Sequence, residues 1–280
     1  MPTVKLGDIN LCYKVNGKGQ PLIMIAGFAT AQNMWLPLLH AFSQHYRVVT
    51  LDNRGVGGSD KPSGPYTTNM MADDTVALMD HLGIDRAHIL GGSLGGMIAQ
   101  HIAIDHPQRV DKLILFSTSA GGQPLQNMLL DLAAATTPNW NRSNSTLVGA
   151  DLRKLTAAIA ARSFNAPFNR LVIISLAVLL LRLGMTRVPA GQVDAMMTHN
   201  VLDRLNLIQA PTLVLTGSAD RLMPPQSSQI LASNINGARL ITIEGGSHAL
   251  AERLSGRFIQ EVLDFLGSVG ANHTASMLLK

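Results

Sequence analysis

The glycine-rich stretch around Ser93, Gly91-Gly92-Ser93-Leu94-Gly95-Gly96, has the composition of a turn that presents a nucleophile. It lies between an apolar run at residues 86–90, typical of a strand, and an amphipathic run at residues 97–106, typical of a helix. A serine on so sharp a turn adopts a strained backbone with positive φ, and Gly91 and Gly95 leave room for it. The pattern predicts that the Ser93 hydroxyl attacks a carbonyl group; the alternative is a glycine-rich turn with an incidental serine.

A serine hydroxyl becomes a strong nucleophile only when a base takes its proton and a third group orients that base. Of the nine histidines, His248 lies in a short glycine-rich loop directly after a predicted strand. Asp220 follows the preceding predicted strand, so both side chains are expected at the same carboxyl edge of the sheet as Ser93. We predict Ser93, Asp220 and His248 as the catalytic residues, with Glu244 as the reserve candidate for the acid.

The oxyanion that forms on an attacked carbonyl needs hydrogen-bond donors that are already in place. The backbone N–H of Leu94, directly after the serine, is one such donor. The second is expected from the loop after the predicted strand at residues 21–26, which begins Gly27-Phe28. We predict that the N–H groups of Phe28 and Leu94 form the oxyanion hole and that Gly27 and Phe28 contact the substrate. In a compatible alternative, Phe28 caps the core.

No metal site and no cofactor are predicted. His101, Asp105 and His106 have the spacing of ligands on one helix, but no third cluster of donors completes a site. The chemistry expected of Ser93 and His248 uses side chains and water alone.

The elements that must position these residues alternate along the chain. The first two predicted strands form a hairpin, and the others belong to a mostly parallel sheet with helices on both faces. The predicted strands are residues 3–6, 10–15, 21–26, 46–52, 86–90, 112–116, 211–216 and 239–243, and the predicted helices are residues 34–45, 67–82, 97–106, 224–235 and 250–269. The expected fold class is therefore α/β, with a mostly parallel eight-stranded sheet.

The alternation stops at residues 120–207, where the pattern is helical and rich in Ala, Leu and Met. We predict a core domain of residues 1–119 and 208–270, a helical cap (lid) inserted at residues 120–207, and a frayed tail at residues 271–280. Residues 121–207 carry eight basic and four acidic side chains, which would steer an anionic substrate or form a solvated face.

Composition excludes several classes of protein. The net charge is +4, yet only 14% of residues are charged, too few for a surface that tracks nucleic-acid phosphates. The single cysteine, Cys12, excludes an intramolecular disulfide framework, and the first residues lack the pattern of a secretory signal, so we expect a cytoplasmic protein. The longest apolar run, residues 171–181, is shorter than the roughly 20 residues that a membrane span needs.

Together with the serine turn, a second motif resembles that of a known family. This motif is the segment Asp52-Asn53-Arg54-Gly55-Val56-Gly57-Gly58-Ser59. It is similar to the Asp-x-Arg-Gly-x-Gly-x-Ser turn of the α/β-hydrolase superfamily, which the chain resembles over nearly its full length. Ala26-Gly27 departs from the family's usual His-Gly. Within the superfamily the chain resembles serine esterases and 3-oxoadipate enol-lactone hydrolases, although similar blocks recur in cofactor-free perhydrolases and C–C bond hydrolases.

The resemblance and the residues together imply a serine hydrolase that cleaves a small-molecule carboxylic ester or lactone through an acyl-enzyme. Two alternatives stay open: a ligand-sensing signalling protein with slow turnover on the same scaffold, and a perhydrolase or C–C bond hydrolase. Neither a nucleic-acid partner nor a membrane span is expected, and a homodimer stays open.

Overall fold

The sheet positions every predicted functional residue. A computed structural model of the chain describes residues 1–136, 158–159, 189–253 and 255–267. Within them one sheet has eight strands in the order β1-β2-β4-β3-β5-β6-β7-β8, antiparallel at β1–β2 and β2–β4 and parallel elsewhere. The strands are β1 Thr3–Leu6, β2 Ile9–Asn16, β3 Pro21–Ile25, β4 Arg47–Leu51, β5 Ala87–Gly92, β6 Val110–Phe116, β7 Thr212–Gly217 and β8 Arg239–Ile243. The predicted fold class is confirmed.

The helices described follow the predicted alternation, with two local differences. The run predicted at residues 34–45 starts as a 3₁₀ turn, Gln32–Trp35, before the α-helix, and the terminal helix predicted at residues 250–269 is described as two helices, up to residue 267. The α-helices are α1 Leu36–Ser43, α2 Thr68–His81, α3 Leu94–Asp105, α4 Gln123–Thr136, α5 Ala190–Thr198, α6 Pro225–Asn234, α7 Leu250–Arg253 and α8 Ser255–Gly267. Thr67 caps α2 by accepting the Met70 N–H at 3.0 Å.

Side chains alternate between the two faces of the sheet because successive residues of a strand point in opposite directions. On β3, Ile23 and Ile25 join a core cluster with α2 and α3, whereas Leu22 and Met24 join the cluster with α1 and α8. Hydrophobic side chains therefore cover both faces, and the loops with the predicted site residues follow the carboxyl ends of the strands.

The sheet order creates a crevice between β3 and β5. These strands are parallel neighbours, but the connection after β3 leads to β4 on one side and the connection after β5 leads to β6 on the other. In open α/β sheets, ligands bind at the carboxyl ends of strands where connections diverge in this way. The loop that begins at Gly27 and the turn at Ser93 lie at this point.

The predicted cap leaves and rejoins the core at one place. Gly121 pairs with Asn200 in an antiparallel bridge, the Gly122 N–H donates to the His199 carbonyl at 2.9 Å, and the Val201 N–H donates to Ala120 at 3.0 Å. The two ends of the segment between them are therefore adjacent. Most of the predicted cap, at residues 137–157 and 160–188, lies outside the described residues, as do the apolar run at 171–181 and the tail at 271–280.

In the described part of the chain, no helix combines the length and the apolar character that crossing a bilayer requires.

Candidate active site

Ser93 occupies a strained turn between β5 and α3. Its backbone has φ 52° and ψ −123°, a conformation that L-residues rarely adopt and that costs on the order of 1–3 kcal/mol. Hydrogen bonds on both sides hold it there: the Ser93 N–H donates to the Phe116 carbonyl at 3.1 Å, and the Ser93 carbonyl accepts the Thr118 hydroxyl at 2.7 Å. The predicted strand-to-helix turn with positive φ is confirmed.

The glycines beside Ser93 are required by close approach of backbone to backbone. A Cβ atom at Gly91 would overlap the Gly95 carbonyl, and a Cβ atom at Gly95 would overlap the Ile25 carbonyl of β3. The first turn of α3 therefore lies directly against β3 and β5, which fixes where the Leu94 N–H stands relative to Ser93.

His248 and Asp220, the predicted base and acid, form a hydrogen-bonded pair. Nδ1 of His248 lies 2.9 Å from Oδ2 of Asp220, and the aspartate side chain is fully buried. The other carboxylate oxygen, Oδ1, accepts the backbone N–H groups of Leu222 and Met223 at 2.9 and 2.8 Å. The pair leaves Nε2 of the imidazole free of Asp220, as a general base for a serine needs.

Backbone hydrogen bonds join the two loops that carry this pair. The Ala219 N–H donates to the Gly246 carbonyl at 2.9 Å, and the Ser218 N–H donates to the Ile243 carbonyl at 3.0 Å. Glu244, the reserve candidate for the acid, accepts the Ser218 hydroxyl at 3.0 Å. The structure therefore places Asp220, and not Glu244, against the imidazole.

The loop after β3 rests on the serine turn. A Cβ atom at Gly27 would lie 3.4 Å from the Ser93 Cβ, so the loop lies in close contact with the serine turn. The Gly27 carbonyl accepts the Thr30 hydroxyl at 2.8 Å, and Ala29 has φ 56°. The Phe28 side chain belongs to the core cluster, so the core-capping alternative for Phe28 is confirmed alongside the proximity of its loop to Ser93.

The Asp52–Ser59 turn supports the loop after β3. Oδ1 and Oδ2 of buried Asp52 accept the N–H groups of Gln32 at 2.7 Å and Gly58 at 2.8 Å. The Asn53 side chain donates to the Ala26 carbonyl at 3.0 Å, directly before Gly27. The motif that carries the family resemblance therefore acts as a brace for the neighbouring loop.

The three residues with ligand-like spacing, at the end of α3 and directly after it, are paired with other side chains. His101 Nδ1 lies 2.9 Å from Asp105, which also forms a salt bridge with Arg204, and His106 lies 3.2 Å from Asp73. Among the residues that the structure describes, no group of three or more His, Cys, Asp or Glu is arranged to hold a metal ion.

Two buried polar side chains near this edge carry no signal in the sequence. Gln192 of α5 bonds to the backbone of Ala29 and Arg54, and His199 Nδ1 lies 3.0 Å from the Thr68 hydroxyl. These contacts join positions at least 131 residues apart, so no spacing rule could have identified them.

Comparison with known proteins extends these observations. The α/β hydrolase fold family matches residues 20–252 of the chain. A putative carbamate hydrolase, RutD of Azorhizobium caulinodans, is 25% identical over 276 residues, covering 96% of this chain and 99% of the relative.

Two solved structures are similar in fold and sequence. Est816, an N-acyl homoserine lactone degrading enzyme, has a TM-score of 0.78 and 29% identity, over 94% of this chain and 100% of its own. The enol-lactonase of Burkholderia xenovorans LB400 has a TM-score of 0.80 and 26% identity, covering 95% of this chain and 100% of the enol-lactonase chain. The chain belongs to the α/β hydrolase fold family, and the family and these relatives support hydrolase activity for it.

Proposed function

We propose that this protein is a serine hydrolase that cleaves a carboxylic ester or lactone through an acyl-enzyme. The observation that carries the proposal is the strained Ser93, with φ 52°, at the same sheet edge as a buried carboxylate bonded to His248 Nδ1 at 2.9 Å. Strain of this kind persists only when the surrounding structure imposes it, and it concentrates at functional sites.

In the proposed mechanism, Ser93 Oγ attacks the carbonyl carbon while His248 Nε2 takes its proton. Asp220 holds the imidazole in the tautomer that leaves Nε2 able to accept, and it stabilises the imidazolium that forms. The backbone N–H groups of Phe28 and Leu94 donate to the tetrahedral oxyanion.

His248 then gives the proton to the leaving alkoxide, and an acyl group remains on Ser93. A water molecule, deprotonated by the same imidazole, attacks the acyl carbon and releases the carboxylic acid. With a lactone the alcohol and the acid leave as one hydroxy acid.

The substrate class follows from the chemistry of the site and from its relatives. Est816 degrades an N-acyl homoserine lactone and a second similar protein is an enol-lactonase, so esters closed into a ring are the first substrates to examine. The predicted cap at residues 120–207 would form the pocket for the acyl or alcohol group. Its eight basic against four acidic side chains favour substrates that carry a carboxylate over neutral esters of the same size.

A carbamate is the second candidate substrate, because the relative RutD is a putative carbamate hydrolase. The same attack by Ser93 would leave a carbamoyl group on the serine and release an alcohol. Carbamoyl-enzymes lose this group slowly when the carbonyl is poorly electrophilic, so the kinetics of deacylation distinguish the two classes.

The test is a steady-state survey of p-nitrophenyl esters, homoserine and enol lactones and carbamates with the purified protein and Ser93→Ala. We expect turnover with at least one ester or lactone that Ser93→Ala abolishes, together with stoichiometric labelling of Ser93 by a fluorophosphonate. Turnover unchanged in Ser93→Ala would refute the proposal.

Three further results would favour the alternatives. Negligible turnover combined with ligand-dependent binding of a protein partner would favour a sensor. Faster formation of peracid than of acid in the presence of hydrogen peroxide would favour a perhydrolase. Cleavage of a vinylogous diketone, with no ester or lactone turnover, would favour a C–C bond hydrolase.

A further inference from the structure

Gln192, in the first turn of α5, bridges two loops of the candidate active site. Its Oε1 accepts the Ala29 N–H at 2.9 Å, and its Nε2 donates to the Arg54 carbonyl at 2.9 Å. The residue is fully buried. Because one backbone partner is a donor and the other an acceptor, the orientation of the amide is fixed without ambiguity.

The bond to Ala29 reaches the peptide next to the proposed oxyanion donor. The N–H that Gln192 accepts belongs to the Phe28–Ala29 peptide, and the Phe28 N–H belongs to the peptide before it. Ala29 has φ 56°, a left-handed conformation that costs an alanine on the order of 1 kcal/mol and needs outside support. On the other side, the Thr30 hydroxyl holds the Gly27 carbonyl at 2.8 Å.

The far end of the bridge is itself held firmly. The Arg54 guanidinium forms two hydrogen bonds with Asp74, at 2.6 and 2.7 Å, and lies 5.6 Å from the centre of the Tyr66 ring. These contacts restrict the movement of Arg54, so its carbonyl offers the Gln192 amide an acceptor at a well-defined position.

Tight packing also fixes the start of α5. A Cβ atom at Gly191 would lie about 2.6 Å from the Tyr66 ring, so the helix touches Tyr66 directly. The Gln192 N–H donates to the Pro189 carbonyl at 2.9 Å. The Gln192 backbone and its partner Arg54 are thus held in place, so the side chain can fix the position of the Ala29 N–H relative to the helix.

We propose that Gln192 is a positioning residue for the oxyanion hole: its amide holds the Phe28–Ala29 peptide so that the Phe28 N–H points at the oxyanion. This inference rests on the proposed serine hydrolase function. It implies that α5, the helix that leads out of the predicted cap, sets the geometry of the catalytic loop. Gln192 contacts no reacting atom and acts only through the backbone of Phe28 and Ala29.

The experiment compares Gln192→Leu, Gln192→Glu and the control Gln260→Leu. Leucine at residue 192 removes both hydrogen bonds, whereas glutamate keeps an acceptor for the Ala29 N–H. Gln260 is an exposed glutamine of α8 whose side chain donates to Asp264 at 2.7 Å, outside the predicted cap and the loops of the candidate site. The measurements are kcat and KM on the best ester, the inhibition constant of a trifluoromethyl ketone analogue of that ester, and the folded fraction by circular dichroism.

We expect Gln192→Leu to lower kcat about 10-fold to 100-fold while KM changes less than threefold. The trifluoromethyl ketone, which forms a tetrahedral oxyanion on the serine, should bind more weakly by the same factor. Gln192→Glu should recover most of the lost kcat, and Gln260→Leu should match the parent. Parent-like kcat in folded Gln192→Leu, equal losses in the leucine and glutamate variants, or a loss confined to KM would overturn the inference.

Two controls keep the result interpretable. If Gln192→Leu does not fold, Gln192→Ala leaves space for water in place of the amide and is tested by the same measurements and the same criteria. Ser93→Ala separates the two proposals: full activity in Ser93→Ala refutes the serine mechanism itself, whereas an inactive Ser93→Ala beside a normal Gln192→Leu refutes only the role of Gln192.

Discussion

Asp220 presents one carboxylate oxygen to His248 and holds the other against the backbone. Oδ2 lies 2.9 Å from His248 Nδ1, while Oδ1 accepts two backbone N–H groups, from Leu222 and Met223. The aspartate therefore cannot rotate without breaking three hydrogen bonds, and its orientation toward the imidazole is fixed by the loop that contains it.

This arrangement predicts the effect of Asp220→Asn. The two backbone donors will select the amide oxygen, so the amide NH₂ will face His248 Nδ1 and donate to it. The imidazole proton then moves to Nε2, which can no longer take the Ser93 proton as the proposed mechanism requires. We expect kcat/KM on an ester to fall about 1,000-fold to 10,000-fold with the fold intact.

The control is Glu244→Gln, which changes the exposed carboxylate that accepts the Ser218 hydroxyl. Its kcat/KM should stay within about twofold of the parent. A larger loss in Glu244→Gln than in Asp220→Asn would show that the acid is assigned wrongly.

Replacing Ser93, the proposed nucleophile, distinguishes its effect on activity from the strain of its backbone. Ser93→Ala and Ser93→Gly should both be inactive, but glycine adopts φ 52° without the penalty that a Cβ atom brings. We expect the free energy of unfolding of Ser93→Gly to exceed that of Ser93→Ala by about 1 kcal/mol, measured by urea denaturation. Equal stabilities would mean that the turn is not strained.

The contact between α3 and β3 predicts a large loss of stability in Gly95→Ala. The added methyl group would overlap the Ile25 carbonyl, which cannot move without disturbing the pairing of β3 with β5. We expect the free energy of unfolding to fall by about 3 kcal/mol. In the matched variant Gly256→Ala, at an exposed position of α8, the methyl group meets no atom within 4 Å, so stability should be unchanged or raised by up to about 1 kcal/mol. A loss in Gly256→Ala as large as in Gly95→Ala would contradict the steric explanation.

The buried His88 of β5 predicts a dependence of stability on pH. Burial lowers the pKa of His88 to about 4, and neither ring nitrogen has a hydrogen-bond partner among the described residues. Between the ordinary histidine pKa of about 6.5 and this lower value, the unfolded chain binds a proton that the folded chain does not. The free energy of unfolding therefore falls as the pH drops through that window, by about 3 kcal/mol in all for this residue.

His88→Phe should remove this part of the pH dependence and keep an aromatic ring beside Tyr46, whose ring centre lies 5.7 Å away. The check is urea denaturation at pH 7.5 and pH 4.5, with the parent as the comparison. The stability of His88→Phe should still fall somewhat between pH 7.5 and pH 4.5. Part of this loss comes from His199, because burial lowers the pKa of His199 to about 3. An unchanged difference between the two pH values would rule out His88 as a source.

The sequence was sufficient to predict features that depend on local rules. Ser93 was predictable because a strand-to-helix turn needs glycines next to it, and Asp220 and His248 because parallel strands end at one edge of a sheet. The choice between Asp220 and Glu244 as the partner of His248 required the structure, since a carboxylate at a strand end can point toward the imidazole or away from it. Gln192 and His199 gave no such signal, because their roles depend on packing between segments far apart in the chain.

The bridge between Gly121 and Asn200 holds together the two ends of the segment between them. Because the two ends are adjacent and lie outside the strands, the segment can be lengthened, shortened or exchanged while the pairing of the strands stays the same. If this segment forms the substrate pocket and Gln192 positions the oxyanion loop, as proposed, such changes can alter substrate preference without altering the sheet, provided that the new segment keeps an amide at the place of Gln192.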